Sequence, residues 1–199
     1  LSRLGVRDLL TTDDASPIEG IRYLRETGAS VEARLPDPGG LGVRRIALSR
    51  VLSQRARTLG IPIAEGESLE SMERTESGIV VVTRHKRWPA RFVVAADGLA
   101  SPVRRLLGWE RPVTLRRYGL RQHFHLTPWT QHVEVYVSDG VEAYVTPAGA
   151  QRVGIAFLWD KDRLTGPVSV TSLLARFPRL ADRLGRADID STPRGAGPL

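Results

Sequence analysis

The stretch "RFVVAADGLASPVRRLLG" at residues 91–108 decides how the rest of the chain is read. Its first half, "ARFVVAAD" from residue 90, is a continuous apolar run ending on one carboxylate. Such runs belong to strands buried on both faces of a sheet. Asp97 then falls at the carboxyl end of that strand, where open α/β sheets place their ligands. Gly98 permits a left-handed backbone or a close approach. Ser101 suits an N-cap and Pro102 the first helical position, so a helix is expected that ends at Gly108. A carboxylate at that point can accept hydrogen bonds from a ligand's hydroxyl groups. A plain Asp-Gly turn before a capped helix accounts for the same residues, so the wider context has to choose.

Outward from this stretch the chain shows two textures. Towards the N-terminus, "LSRLGVRDLL" (1–10) has apolar residues at helical spacing. "IEGIRYLRETGASVEARLP" (18–36) alternates on both sides of Gly28 and reads as a hairpin. "RRIALSRVLSQRARTLG" (44–60) places Ile46, Leu48, Val51, Leu52, Ala56 and Leu59 on one helical face, with Gly60 as its stop. "SLESMERTESGIVVVTRHKR" (68–87) turns at Glu76–Gly78 as another hairpin. Towards the C-terminus, "LRRYGLRQHFHL", "QHVEVYVSD", "VEAYVTPAG" and "AQRVGIAFLW" alternate between short turns, the pattern of an antiparallel meander. The segment "SVTSLLARFPRLADRLG" (169–185) reads as a helix interrupted at Pro178, and residues 186–199 as a loop. The fold class is therefore α/β: a mixed sheet with helices and a three-strand meander over 1–112, and an antiparallel sheet with a helix over 113–199.

Composition narrows the function classes. The chain is 41% hydrophobic and 26% charged, enough apolar mass for a core in a soluble protein. It has no apolar run long enough to span a bilayer, so stable membrane insertion is not expected. There is no cysteine, which excludes disulfides and thiolate metal sites and fits a cytoplasmic protein. The net charge of +7 raises a nucleic-acid partner. The arginines, however, are scattered among acids, as in "RADIDSTPR", with no interleaved aromatic residues to stack bases. No nucleic-acid partner is expected.

Several further residues stand out. His123 and His125 are two apart on one strand and so point the same way. That spacing suits two metal ligands, but no third is evident; a cross-strand or pocket-lining place is the alternative, and no metal is expected. Tyr136 and Tyr144 on the meander are candidates to line a substrate pocket, or half-buried sheet residues. Arg44 and Arg45 start a helix, where cations oppose the macrodipole unless an anion is bound nearby.

"VVAADGLASPVRRLLG" resembles the Asp-Gly motif of the class A FAD-dependent monooxygenases, the para-hydroxybenzoate hydroxylase-like flavoproteins, whose fold is shared by geranylgeranyl reductase-like and halogenase-like enzymes. "VRRIALSRVLSQRARTLGI" is similar to that family's Arg-x-x-Leu-x-x-x-Leu helix, and "EAYVTPAGAQRVGIAFLW" to a hairpin of its substrate domain. The resemblance implies a partial FAD-binding domain over 1–112 and a partial substrate domain over 113–199. The family's Gly-x-Gly-x-x-Gly fingerprint is expected before Leu1 and its Gly-Asp motif after Leu199. The chain is therefore expected to be the middle of a protein about twice as long and inactive alone. The resemblance implies FAD as cofactor, NAD(P)H as reductant, O₂ as co-substrate and a small organic substrate. By residue, it gives Asp97, Gly98 and Ser101 a place at the flavin's sugar region. It gives Arg45, or else Arg44, a place at the flavin side chain or pyrophosphate. Arg104 would orient the Asp97 loop or meet the nicotinamide nucleotide. No side chain is singled out as the catalyst, because flavin carries the chemistry. The alternatives are a flavin-dependent reductase of isoprenoid double bonds, a non-catalytic basic module and an inactive fragment.

Overall fold

A computed structural model describes residues 1–111 and 116–199. In chain order the strands and helices are β1 (Ala15–Ile18), β2 (Gly20–Arg25), β3 (Ser30–Arg34), β4 (Gly40–Val43), α1 (Arg45–Thr58), β5 (Leu69–Thr75), β6 (Gly78–Thr83), β7 (Arg87–Ala90) and α2 (Pro102–Leu106). They continue with β8 (Arg117–His125), β9 (His132–Ser138), β10 (Val141–Pro147), β11 (Arg152–Asp160), α3 (Val170–Leu174), α4 (Pro178–Leu184), β12 (Asp188–Ile189) and β13 (Arg194–Ala196). Among the described residues no helix is long and apolar enough to cross a membrane.

The chain groups into two compact units, Leu1–Gly60 with Arg116–Leu199, and Ile61–Arg111, counting the described residues. These are not the blocks 1–112 and 113–199 expected from texture; the 112/113 boundary itself lies outside the described residues. The physical reason is strand pairing. β2 runs parallel to β9, so the N-terminal hairpin β2–β3 extends the sheet formed by β8–β11.

The first unit is built on that sheet, ordered β12-β8-β11-β10-β9-β2-β3, with β13 also on β8. Strict alternation along β10 and β11 sends Val141, Ala143, Val145, Val153, Ile155, Phe157 and Trp159 to one face. Residues of α3, α4 and the link between them close that face: Val170, Leu173, Phe177, Leu180 and Leu184 join the same buried cluster. Pro178 divides the two helices by occupying the first turn of α4. One charged side chain lies within this layer. Glu134 is 0% exposed, and its carboxylate accepts bonds from Arg22 (3.1 Å), Arg183 (3.1 Å), Trp129 Nε1 (2.9 Å) and the Tyr136 hydroxyl (2.9 Å).

A two-stranded ladder of β1 and β4 carries α1 onto the opposite face of the sheet's end. Gly42 makes this possible, because a Cβ there would lie 2.0 Å from the carbonyl oxygen of Pro147. Ser16 on β1 accepts from the Gly149 N–H at 3.0 Å. Arg50 on α1 pairs with Asp14 at 2.6 Å, just before β1. These contacts set where the first turn of α1 lies.

The second unit holds the three-stranded meander β5–β6–β7 and α2. The hairpin turn falls between Thr75 and Gly78, as the sequence indicates. Four local expectations differ. Residues 91–97 form no strand: Phe92 is 80% and Val94 87% exposed. An apolar run becomes a buried strand only where neighbours complete its ladder, and among the described residues none pairs with it. Residues 1–10 form two 3₁₀ turns broken at Gly5, whose φ of 65° ends the first. In α1 the buried residues are Ala47 and Val51, one turn apart, while Ile46 is 66% exposed. The tail forms short strands β12 and β13, since β8 offers it a free edge.

Candidate functional site

The unburied face of the large sheet and the start of α1 border an open cavity of about 810 Å³ within the first unit. Arg44, Arg45, Ile46 and Ser49 line it from α1, Gly119, Arg121 and His123 from β8, and Tyr144 from β10. Ala156 and Leu158 of β11 floor it, and residues 191–199 close the far side. The floor follows from sheet period: positions 119, 121 and 123 lie on the face opposite Leu120, Gln122 and Phe124.

The tail is held there by a specific set of bonds. Asp190 pairs with Arg152 through two contacts, 2.9 Å and 3.1 Å, and with Arg44 at 3.3 Å. Its carboxyl is held below the usual range by Arg152 chiefly, with Arg44 adding to the effect. Ser191 Oγ accepts from the His123 backbone N–H at 3.0 Å and lies 3.3 Å from its Nδ1. Gln122 Nε2 donates to the Ser191 carbonyl at 2.8 Å. Burial, and then the Arg44 and Arg121 guanidinium groups, lower the His123 pKa, so its ring favours the neutral form.

Tyr144 donates its hydroxyl hydrogen to Glu142 Oε2, and Arg117 holds Glu142 Oε1 at 3.0 Å. Burial and that carboxylate push the phenol up to about 12. Its oxygen lone pairs are left to accept from a ligand.

The cavity is strongly positive. Helix α1 has no acidic residue in its first turn and no side-chain cap, and its N-terminus carries partial positive charge. The Nε of Arg44 is buried without a hydrogen-bond partner among the described residues. Arg45, Arg121 and Arg194 have no carboxylate partner there either. This donor set fits an anionic, hydroxyl-rich ligand such as a flavin dinucleotide.

The predicted site residues therefore divide. Arg44 and Arg45 from α1, and His123 and Tyr144 from the sheet, line the same cavity. His125 is exposed, its Cα paired with Arg152 and Asp188, and lines no part of that cavity. Tyr136 points into the opposite layer, bonded to Glu134, where burial raises its phenol pKa. Among the described residues no cluster of three or more His, Asp or Glu side chains could hold a metal ion.

Asp97, Gly98, Ser101 and Arg104 belong to the second unit. Asp97 Oδ2 accepts from the Val103 N–H at 3.1 Å, and Ser101 Oγ from the Arg104 N–H at 3.0 Å, so both cap α2. The Ser101 hydroxyl, then the Val103 N–H, hold the exposed Asp97 carboxyl below its usual range. Gly98 has φ 80°, which a side chain would strain. The Arg104 guanidinium donates to the Leu99 carbonyl and so ties down this loop. Sequence reasoning missed Arg121, Arg194, Asp190 and Ser191. Period-two alternation from His123 would have found Arg121; the other three lie in a tail without a pattern of its own.

Residues 2–172 match the family described as FAD binding domain. A rifampicin monooxygenase of Streptomyces venezuelae is 35% identical over 69 residues, 34% of this chain and 14% of that protein. Among solved structures, a flavoprotein/dehydrogenase from Cytophaga hutchinsonii superposes with a TM-score of 0.78 at 16% identity, covering 92% of this chain and 50% of its own. Halogenase PltM in complex with phloroglucinol and FAD gives 0.77 at 14% identity, covering 96% and 45%. The chain thus spans about half the length of these solved relatives, which share its fold. With the match extending from the N-terminal turns to α3, the chain belongs to the FAD binding domain family of flavin-dependent oxidoreductases.

Proposed function

We propose that the native gene product carrying this chain is an FAD-dependent monooxygenase that hydroxylates a small organic substrate, using NAD(P)H and O₂. Family membership and the rifampicin monooxygenase relative support this reading. The observation that carries it is the cavity formed by the arginine-rich start of α1 and the small-residue floor of the sheet.

Arg44 and Arg45 are the residues of this cavity suited to hold the anionic and hydroxylated parts of FAD. Bound flavin supplies hydride acceptance from the nicotinamide and activation of O₂. The chain's own part is binding and orientation. Gly119 and Ala156 leave a low floor on which a flat molecule can lie. Tyr144, fixed by Glu142, offers a lone pair to a substrate hydroxyl or amine. Neutral His123, with Nδ1 beside Ser191, can accept a proton at Nε2 from a substrate hydroxyl.

The test is NAD(P)H consumption by the native gene product with and without O₂, followed by mass analysis of product formed under labelled oxygen. Label in the product, with consumption dependent on O₂, is expected. Substrate double-bond reduction that proceeds without O₂ would replace this reading with the reductase alternative.

A further inference from the structure

Three side chains from distant parts of the chain meet at one carboxylate. Asp190, just after β12, accepts two bonds from Arg152 of β11, at 2.9 Å and 3.1 Å, and lies 3.3 Å from Arg44 at the start of α1. The side chains of Asp190, Arg152 and Arg44 are 16%, 16% and 20% exposed, so their attraction is little screened. Arg152 is itself fixed, because its Nη1 donates to the Asp13 carbonyl at 2.9 Å. Gly149 leaves room for that bond: a Cβ there would lie 2.5 Å from the same oxygen. The charges at this junction do not balance. Two guanidinium groups share one carboxylate, and Arg152 takes the bidentate geometry. Arg44 keeps a single contact, and its Nε is buried without a hydrogen-bond partner among the described residues. A buried guanidinium in that state is costly unless an anion completes it. The backbone nearby offers none, since the N–H groups that open α1 carry partial positive charge. The cavity that Arg44 lines is where such an anion can sit.

Resting on the flavoenzyme reading above, we propose that Asp190, braced by Arg152, is a positioning residue for Arg44, holding its guanidinium ready for the anionic part of FAD without consuming its donors. An arginine side chain has several rotatable bonds, and immobilising it only on binding weakens affinity; fixing it beforehand removes that cost. The place of Asp190 in the chain adds a consequence. Its N–H donates to the His123 carbonyl at 2.9 Å, and the next carbonyl, of Ser191, accepts from Gln122 Nε2 at 2.8 Å. Docking of the tail on β8 therefore completes the surroundings of Arg44. Binding of FAD must in turn favour the docked tail, since such coupling is reciprocal.

A plain counter-charge would behave in the opposite way. Were Asp190 only neutralising Arg44, its removal would strengthen the binding of an anion. The native gene product, stripped of flavin, is titrated with FAD and followed by flavin fluorescence as wild type, Asp190→Asn, Arg44→Gln and the double variant. Asp190→Asn should weaken FAD binding about tenfold, and the double variant should bind no more weakly than Arg44→Gln, because Asp190 acts through Arg44. Unchanged or tighter binding by Asp190→Asn overturns the proposal. A further loss in the double variant overturns it too, since the tail would then act independently of Arg44. Should the wild type take no FAD, the flavin reading falls and the positioning role with it; FAD binding that is indifferent to Asp190 removes the positioning role alone. Should Asp190→Asn fail to fold, hydrogen exchange at the Asp190 amide decides. Saturating FAD should slow it about fivefold or more in the wild type and leave it unchanged in Arg44→Gln. Any other pattern overturns the proposal.

Discussion

Two regions of this molecule carry comparable apolar sequence and treat it in opposite ways. In the sheet unit, β10 and β11 bury every second residue, and Phe177 and Leu180 from α3–α4 lie over them with no measurable exposure. In the unit of residues 61–111, the buried residues among those described are Thr83 and Ser101, both polar, while Phe92 and Val94 face outwards. The difference lies in what each run finds to pair with. An apolar strand is stabilised by its ladder and by the layer over it, not by its composition. β10 has β9 and β11 beside it and two helices above; residues 91–97 have neither among the described residues.

The contrast can be broken most severely from the buried side. Glu134→Gln puts an amide where four donors converge and removes the charge facing Arg22 and Arg183. Breaking such a buried pair should lower unfolding free energy by about 3–5 kcal/mol, read by urea denaturation followed through tryptophan fluorescence. An unchanged midpoint would mean the network does not hold β9 to α4.

Next in size is Asp190→Asn, which loosens the tail from Arg44 and Arg152. A loss of about 1–3 kcal/mol is expected, with increased hydrogen exchange at β12. The sign of its pH dependence is fixed by the lowered carboxyl. The native Asp190 contributes stability above its unfolded value of 3.8, and that contribution is lost as pH falls through its lower folded value. Acid unfolding of the variant should lack this step. His123 works the same way nearer neutrality: with its folded pKa below 6.5, stability declines as pH drops from 6.5 through that lower value.

The second unit should respond more weakly. Ser101→Ala removes one of two caps on α2 and should cost about 1 kcal/mol, seen as faster exchange at the Arg104 amide. Asp97 remains to bond Val103, so α2 should persist. Smallest of all, Val94→Ser should leave stability within about 0.5 kcal/mol, since this side chain is already in solvent. A larger loss in the melting curve would show that the run is packed in solution and would erase the contrast.

How much of this was legible follows the same logic. Local signals read correctly: Gly28, Gly60 and Gly108 mark their turns and helix ends, Pro178 divides a helix, and Ser101 caps α2, because each acts through its own backbone neighbourhood. The β10–β11 hairpin was legible from alternation alone. Pairing at a distance was not. Nothing in "GIRYLR" states that it will lie parallel to "HVEVYV", and that single ladder moved the unit boundary. The apolar run at 91–97 fits a strand that neighbours would have to create. At the site, Arg45 and Tyr144 stood out by position in their elements; Arg194 could emerge only once β13 had a partner strand.

If this chain forms part of a flavin site, the native gene product holds flavin, and its flavin content is the decisive measurement. Gentle purification, or reconstitution followed by denaturation, should release one FAD per chain. A protein that carries no flavin after either treatment, while remaining folded and monodisperse, would contradict it.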